Sequence, residues 1–123
     1  MFVMGQEPLP NMSAEEVRAF FADKYAQEDL ADAFAVASNK FWWVEDNEYD
    51  YEEGSPEHKT ACAITDAWGN LMDEYKHRIF EILTSEGVII PATAHVEVLK
   101  PFMERFGYID GNGWWVKQES KAR

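Results

Sequence analysis

Apolar residues recur along most of this chain at steps of three and four, and the pattern changes to alternation only near its end. The first helical run opens at Ser13. Ser13 and Glu16 have the spacing of a capping box, in which each side chain accepts the other's backbone N–H, and Met12 and Val17 stand where a hydrophobic staple would place them. Val17, Phe20, Phe21 and Tyr25 then share one face at helical spacing. A second helix is predicted over about 28–45, where Leu30, Ala33, Phe34, Ala37, Phe41 and Val44 recur at helical steps. At roughly 100° per residue these six fall within one third of the circumference. Trp42 and Trp43 do not: they project about 120° and about 220° from Leu30, on the side opposite the core stripe. Either a loop or the C-terminal hairpin covers them, or they are exposed anchors for a partner, since such residues dominate binding hot spots.

The third helix is the longest element. Ser55 reads as its N-cap, Pro56 as its first residue and Glu57 as an acid in the first turn. It is expected to run to about Glu86 and stop at Gly87, the usual left-handed cap residue. Ile64, Trp68, Leu71, Tyr75, Ile79 and Ile82 form a narrow stripe, and Phe80 lies off it as another candidate exposed aromatic. Gly69 in mid-helix costs about 1 kcal/mol against Ala and implies a kink or a close helix crossing. Beyond Gly87, the residues Ala92, Val96, Leu99, Met103 and Phe106 fit a helix that Pro101 kinks or divides; the rival reading makes 95–99 a strand. Tyr108 to Val116 has aromatic and β-branched runs around Gly111-Asn112-Gly113, the signature of a hairpin. With Gly111 and Asn112 central, Ile109 faces Trp114 and Tyr108 faces Trp115; this register is preferred for its cross-strand pairs. With Asn112 and Gly113 central, Asp110 faces Trp115 instead.

The fold class expected is therefore mainly α with a C-terminal β-hairpin, a small α+β domain whose helix-then-hairpin end has the order of a winged helix. An arm over 1–12 precedes a single domain over 13–118, with the hairpin at 108–117 and a short tail at 119–123. At 123 residues there is no room for two independent cores, and with 46% apolar residues there is ample material for one. No run of 18 apolar residues exists, which argues against a membrane span. Met1 to Gly5 lacks the basic region and long apolar stretch of a signal peptide, so a cytoplasmic location is expected. The single cysteine, Cys62, allows no internal disulfide and no multi-cysteine zinc site, and reads as an inert packed thiol.

Charge changes the picture more than composition does. The net charge is −12, but residues 1–87 hold 19 acids against 6 Lys or Arg, while residues 88–123 hold 4 against 5. Such a field disfavours direct nucleic-acid binding and attracts a protein with a basic surface. The acids peak at 45–53, where Glu45, Asp46, Glu48, Asp50, Glu52 and Glu53 alternate with Tyr49 and Tyr51. Without an apolar stripe and ending at Gly54, this segment is expected to be a loop. It is either only solvated, or it imitates a nucleic-acid strand by offering negative charge and stacking faces together. It lacks the ligand order of a calcium loop.

Chemistry finds no support. Glu74 and His77 form a single E-x-x-H, whereas a di-iron bundle needs two, and both residues point away from the apolar stripe. His58 and His95 have no evident partners, the serines lack a nucleophile elbow, and there is no Gly-rich phosphate loop. No catalytic, cofactor-binding or metal-ligating residue is assigned, and no cofactor is expected.

The stretch from Pro101 to Trp115, PFMERFGYIDGNGWW, resembles the tail of uncharacterised small acidic bacterial proteins of the type common in phage and other mobile elements. The resemblance covers about 15 residues and brings no functional residue with it. By analogy of size and charge, small acidic proteins of that origin include inhibitors that occupy nucleic-acid channels, among them anti-CRISPR proteins. The leading expectation is a non-catalytic interaction domain, an inhibitor or nucleic-acid mimic acting on a basic protein surface. Its partner-binding residues would be Trp42, Trp43, Glu45, Asp46, Glu48, Tyr49, Asp50, Tyr51, Glu52 and Glu53. One alternative is a winged-helix nucleic-acid binder or regulator using Lys100, Arg105 and Lys117; another is a small enzyme or metalloprotein without a recognisable motif. A homodimer is a further expectation, because Trp42, Trp43, Phe80 and one hairpin tryptophan exceed what a narrow helical core needs.

Overall fold

The capping box at the first helix forms as its spacing predicts. Ser13 Oγ accepts the Glu16 N–H at 3.1 Å, and Glu16 Oε1 accepts the Ser13 N–H at 2.9 Å. The computed structural model describes residues 12–48, 51–93, 95–111 and 114–117, with the side chains of Asp46, Asn47, Glu48 and Trp114 outside that description. Within it the elements are α1 (Ala14–Phe21), α2 (Gln27–Glu48), α3 (Pro56–Ser85), α4 (Val96–Glu104), β1 (Tyr108–Gly111) and β2 (Trp114–Lys117). The chain is mainly helical with a C-terminal two-stranded antiparallel hairpin. No described helix is long and apolar enough to cross a membrane.

Helices α2 and α3 share the largest interface and run antiparallel, with Leu30 near Ile82 at one end and Phe41 against Gly69 nearer the other. Gly69 is there for proximity. A Cβ on it would sit 3.0 Å from Phe41 Cε1, so the mid-helix glycine marks a close crossing. At the far end of α3, Gly87 adopts φ 91°, and the Val88 N–H donates to the Leu83 carbonyl at 2.9 Å. This is the left-handed closure expected of a glycine in that place.

Several sequence expectations need correction. On α1, Val17 and Phe21 are buried, but Phe20 and Tyr25 of the same predicted face are exposed. The stripe of α3 drifts, with Thr65 and Leu83 buried, Ile64 exposed and Ile82 only partly covered. Phe80 is half-buried, its ring edge-on to His95 at 5.0 Å and to His77 at 6.2 Å. The helix reading of the region after Gly87 holds, but α4 begins at Val96, not Ala92. Pro101 lies inside α4 and costs one backbone hydrogen bond without ending the helix. Burial of Leu99, Phe102 and Met103 holds it in place.

The largest departure concerns α2. It extends from Gln27 to Glu48, and between Leu30 and Lys40 every residue except Asp32 is buried. A single stripe does not describe a helix covered nearly all round. Small residues make this possible: Ala31, Ala33, Ala35 and Ala37 let α1, α3 and the hairpin approach on different sides.

The hairpin docks on α2 through polar groups as well as apolar ones. Trp115 is buried with its ring 6.2 Å from that of Phe34. Asn39, fully buried, accepts the Trp115 N–H at 2.8 Å and donates to the Trp115 carbonyl at 2.9 Å. The buried Tyr108 hydroxyl donates to Asp32, and Lys117 Nζ reaches Asp32 and Glu28 at 3.2 Å each. The register is Asp110 opposite Trp115 and Gly111 opposite Trp114, so the preferred pairing of Ile109 with Trp114 is overturned. Asn112 and Gly113, which separate the strands in sequence, lie outside the described residues. The register turns the Trp115 N–H and carbonyl toward Asn39, which takes the place of a third strand.

Candidate protein interface

The last two turns of α2 leave the cover that surrounds its middle. Trp42 is 44% exposed and Trp43 41%, so of the two readings of their off-stripe position the exposed one holds. They are large surface aromatics immediately beyond a stretch that is almost wholly buried. The Trp42 ring packs edge-on to the half-buried Phe41 at 5.1 Å, which fixes its orientation.

The acidic segment is not all loop. Helix α2 continues through Glu45, Asp46 and Glu48, correcting the expectation that 45–53 is irregular throughout. These acids stand where a helix tolerates them least. The C-terminal end of a helix carries partial negative charge, so each acid there costs a few tenths to about 1 kcal/mol. The last turn of α2 contains no basic residue to offset this. Glu45 is half-buried, whereas Tyr51, Glu52 and Glu53 beyond the helix are exposed. Tyr49 and Asp50 lie outside the described residues, as do the side chains of Asp46 and Glu48. Trp42, Trp43, Glu45, Tyr51, Glu52 and Glu53 thus lie at or just beyond the same end of the α2–α3 pair.

The cations that would serve nucleic-acid binding at the C-terminal end are engaged with the chain's own acids. Arg105 makes a two-pronged pair with Glu86, at 2.5 and 3.0 Å, which holds the Glu86 carboxyl below its usual range. Lys100 lies 3.9 Å from Asp110, and Lys117 bridges Glu28 and Asp32. At Lys117 burial works against the charge, yet the two carboxylates raise the pKa overall.

Groups that carry chemistry are dispersed. Glu74 pairs with Arg18 at 3.3 Å, and the exposed His77 bonds through Nδ1 to the Asp73 carbonyl at 2.8 Å. Cys62 is half-buried one turn from His58, with Sγ 3.7 Å from Nε2. No group of three or more metal-ligating side chains occurs among the described residues.

Sequence reasoning passed over three buried polar residues. Asn39 docks the hairpin; its signal was an amide directly after Ser38 in an otherwise apolar run. Lys40 is 8% exposed, with its ammonium 5.9 Å from the centre of the Trp68 ring, and burial lowers its pKa. In the sequence Tyr75 is indistinguishable from an apolar stripe residue. Its hydroxyl is buried without a hydrogen-bond partner, which costs about 1–3 kcal/mol. Burial and the neighbouring Glu74 push its pKa up to about 12, against opposing effects of Arg78 and Arg18.

Comparison of the chain with known protein families, with characterised proteins and with solved structures finds no match.

Proposed function

We propose that this protein is a non-catalytic interaction domain whose acidic, aromatic end, formed by the last turns of α2 and the segment after it, engages a basic protein surface. One observation carries the reading. Acids crowd the C-terminal turn of a helix, where they oppose the helix's own dipole, directly beside two exposed tryptophans. The acids work against the helix that carries them, and the indoles leave a large apolar area open to solvent. A cationic partner compensates the acids and the helix terminus together, and the indoles supply the buried anchors that a charged rim alone lacks. Alternating carboxylates and aromatic rings fit best a surface that otherwise holds nucleic acid, so the protein acts as an inhibitor or mimic there. This reading places it in the cytoplasm, and the resemblance of residues 101–115 suits an origin in a mobile element.

The winged-helix alternative is less favoured, because Lys100, Arg105 and Lys117 each lie within 4 Å of one of the chain's own carboxylates. The direct experiment is capture from native lysate with the full chain and with a Trp42→Ala, Trp43→Ala variant. The expected result is a basic protein held by the first and lost by the second. Equal capture by both contradicts the proposal.

A further inference from the structure

A groove of about 520 Å³ lies between α1 and α3, whereas the hairpin packs on α2 and α4. Its lining combines Phe21 and the buried Tyr75 with Arg18, Arg78, Glu15 and Glu74. The two arginines are not equivalent. Arg18 is held by Glu74, at 3.3 Å from both carboxylate oxygens. Arg78 is half-buried, lies over the Tyr75 ring at 6.0 Å, and has no carboxylate partner among the described residues. That is conspicuous in a chain with 23 acids and 11 Lys or Arg. Tyr75 adds the second unpaired group, a buried hydroxyl without an acceptor. A donor fork without a carboxylate thus lies over the face of a tyrosine whose buried hydroxyl also lacks an acceptor.

We propose that this groove binds a small organic monocarboxylate with an aromatic body. The carboxylate matches the planar fork of Arg78 and supplies the acceptor that the Tyr75 hydroxyl lacks. The ring lies against Phe21, Ala19 and Ala22. Glu15 and Glu74 on the rim select a single negative charge over a dianion. This site stands on residues separate from the acidic end of α2, so either proposal can fail without the other.

The test is an NMR amide-shift titration of the full chain with 2-naphthoate, its neutral counterpart 2-naphthamide, and inorganic phosphate. Saturable shifts confined to residues 15–22 and 74–82, from naphthoate alone, are expected. Arg78→Gln is expected to weaken binding about tenfold, as loss of a charge-assisted pair does. Tyr75→Phe is expected to weaken it several-fold without lowering the thermal midpoint, since it removes a buried hydroxyl that has no partner in the free protein. No saturable shift, equal binding of the amide, tighter binding of phosphate, or unchanged affinity in Arg78→Gln overturns the proposal.

Discussion

Replacing Asn39 with Ala tests how the hairpin is held. The side chain is fully buried, and its amide satisfies both the N–H and the carbonyl of Trp115, at 2.8 and 2.9 Å. Trp115 faces Asp110 across the hairpin, and its backbone groups point away from β1, so no strand replaces the lost partner. Each buried backbone group left unpaired costs about 1–3 kcal/mol. Two such groups give about 2–6 kcal/mol, and partial entry of water brings the expectation to about 3 kcal/mol. For a domain whose total stability is of order 5–15 kcal/mol, the loss is large. It corresponds to a fall in thermal midpoint of about 10–20 °C. Urea unfolding followed by tryptophan fluorescence and by circular dichroism measures it, and hydrogen exchange at the Trp115 amide locates it. A loss under about 1 kcal/mol, or unchanged protection of that amide, would refute the claim that Asn39 acts as a third strand.

Two further outcomes follow from the same packing. Gly69→Val puts branched carbons against Phe41, where a single Cβ already comes within 3.0 Å; urea unfolding is expected to show a loss of about 2 kcal/mol despite the better helix propensity. Alkali is expected to unfold the protein in a particular window. Burial raises the pKa of both Tyr75, to about 12, and Tyr108, so the folded state holds protons that the unfolded chain releases from about pH 10 upward. Stability is therefore intact below about pH 10 and falls as pH rises toward 12, with Tyr75 alone contributing about 2–3 kcal/mol. Part of the phenolate absorbance should appear only together with loss of the helical signal. Complete phenolate formation in a still-helical protein contradicts this.

What was legible in the sequence was local. The Ser13–Glu16 box, the Ser55-Pro56 start and the Gly87 stop depend on neighbours three or four residues away, and each stands where its chemistry predicts. The exposure of Trp42 and Trp43 is only half legible: phase puts them off the stripe, but Ala31 and Val36 at similar phase are buried, so it is their place beyond the covered stretch that exposes them. The misreadings share a long-range cause. Nothing in the spacing of Ala31, Ala35 and Val36 reveals that α1, α3 and the hairpin cover α2 on several sides. Cross-strand pairs favour one hairpin register, whereas the actual one accommodates Asn39, 76 positions from Trp115. The continuation of α2 to Glu48 was hidden because its last turn has acids where an apolar stripe would identify a helix.

The central claim is that the acidic end of α2 and the segment beyond it meet a basic protein. Its most direct test is the affinity for the captured partner measured over a series of salt concentrations, for the native chain and for a variant with Glu45, Glu48, Glu52 and Glu53 changed to Gln. The native affinity is expected to fall steeply with salt, and the variant to bind weakly with a flattened slope. An unchanged affinity and an unchanged slope in the variant would contradict the claim.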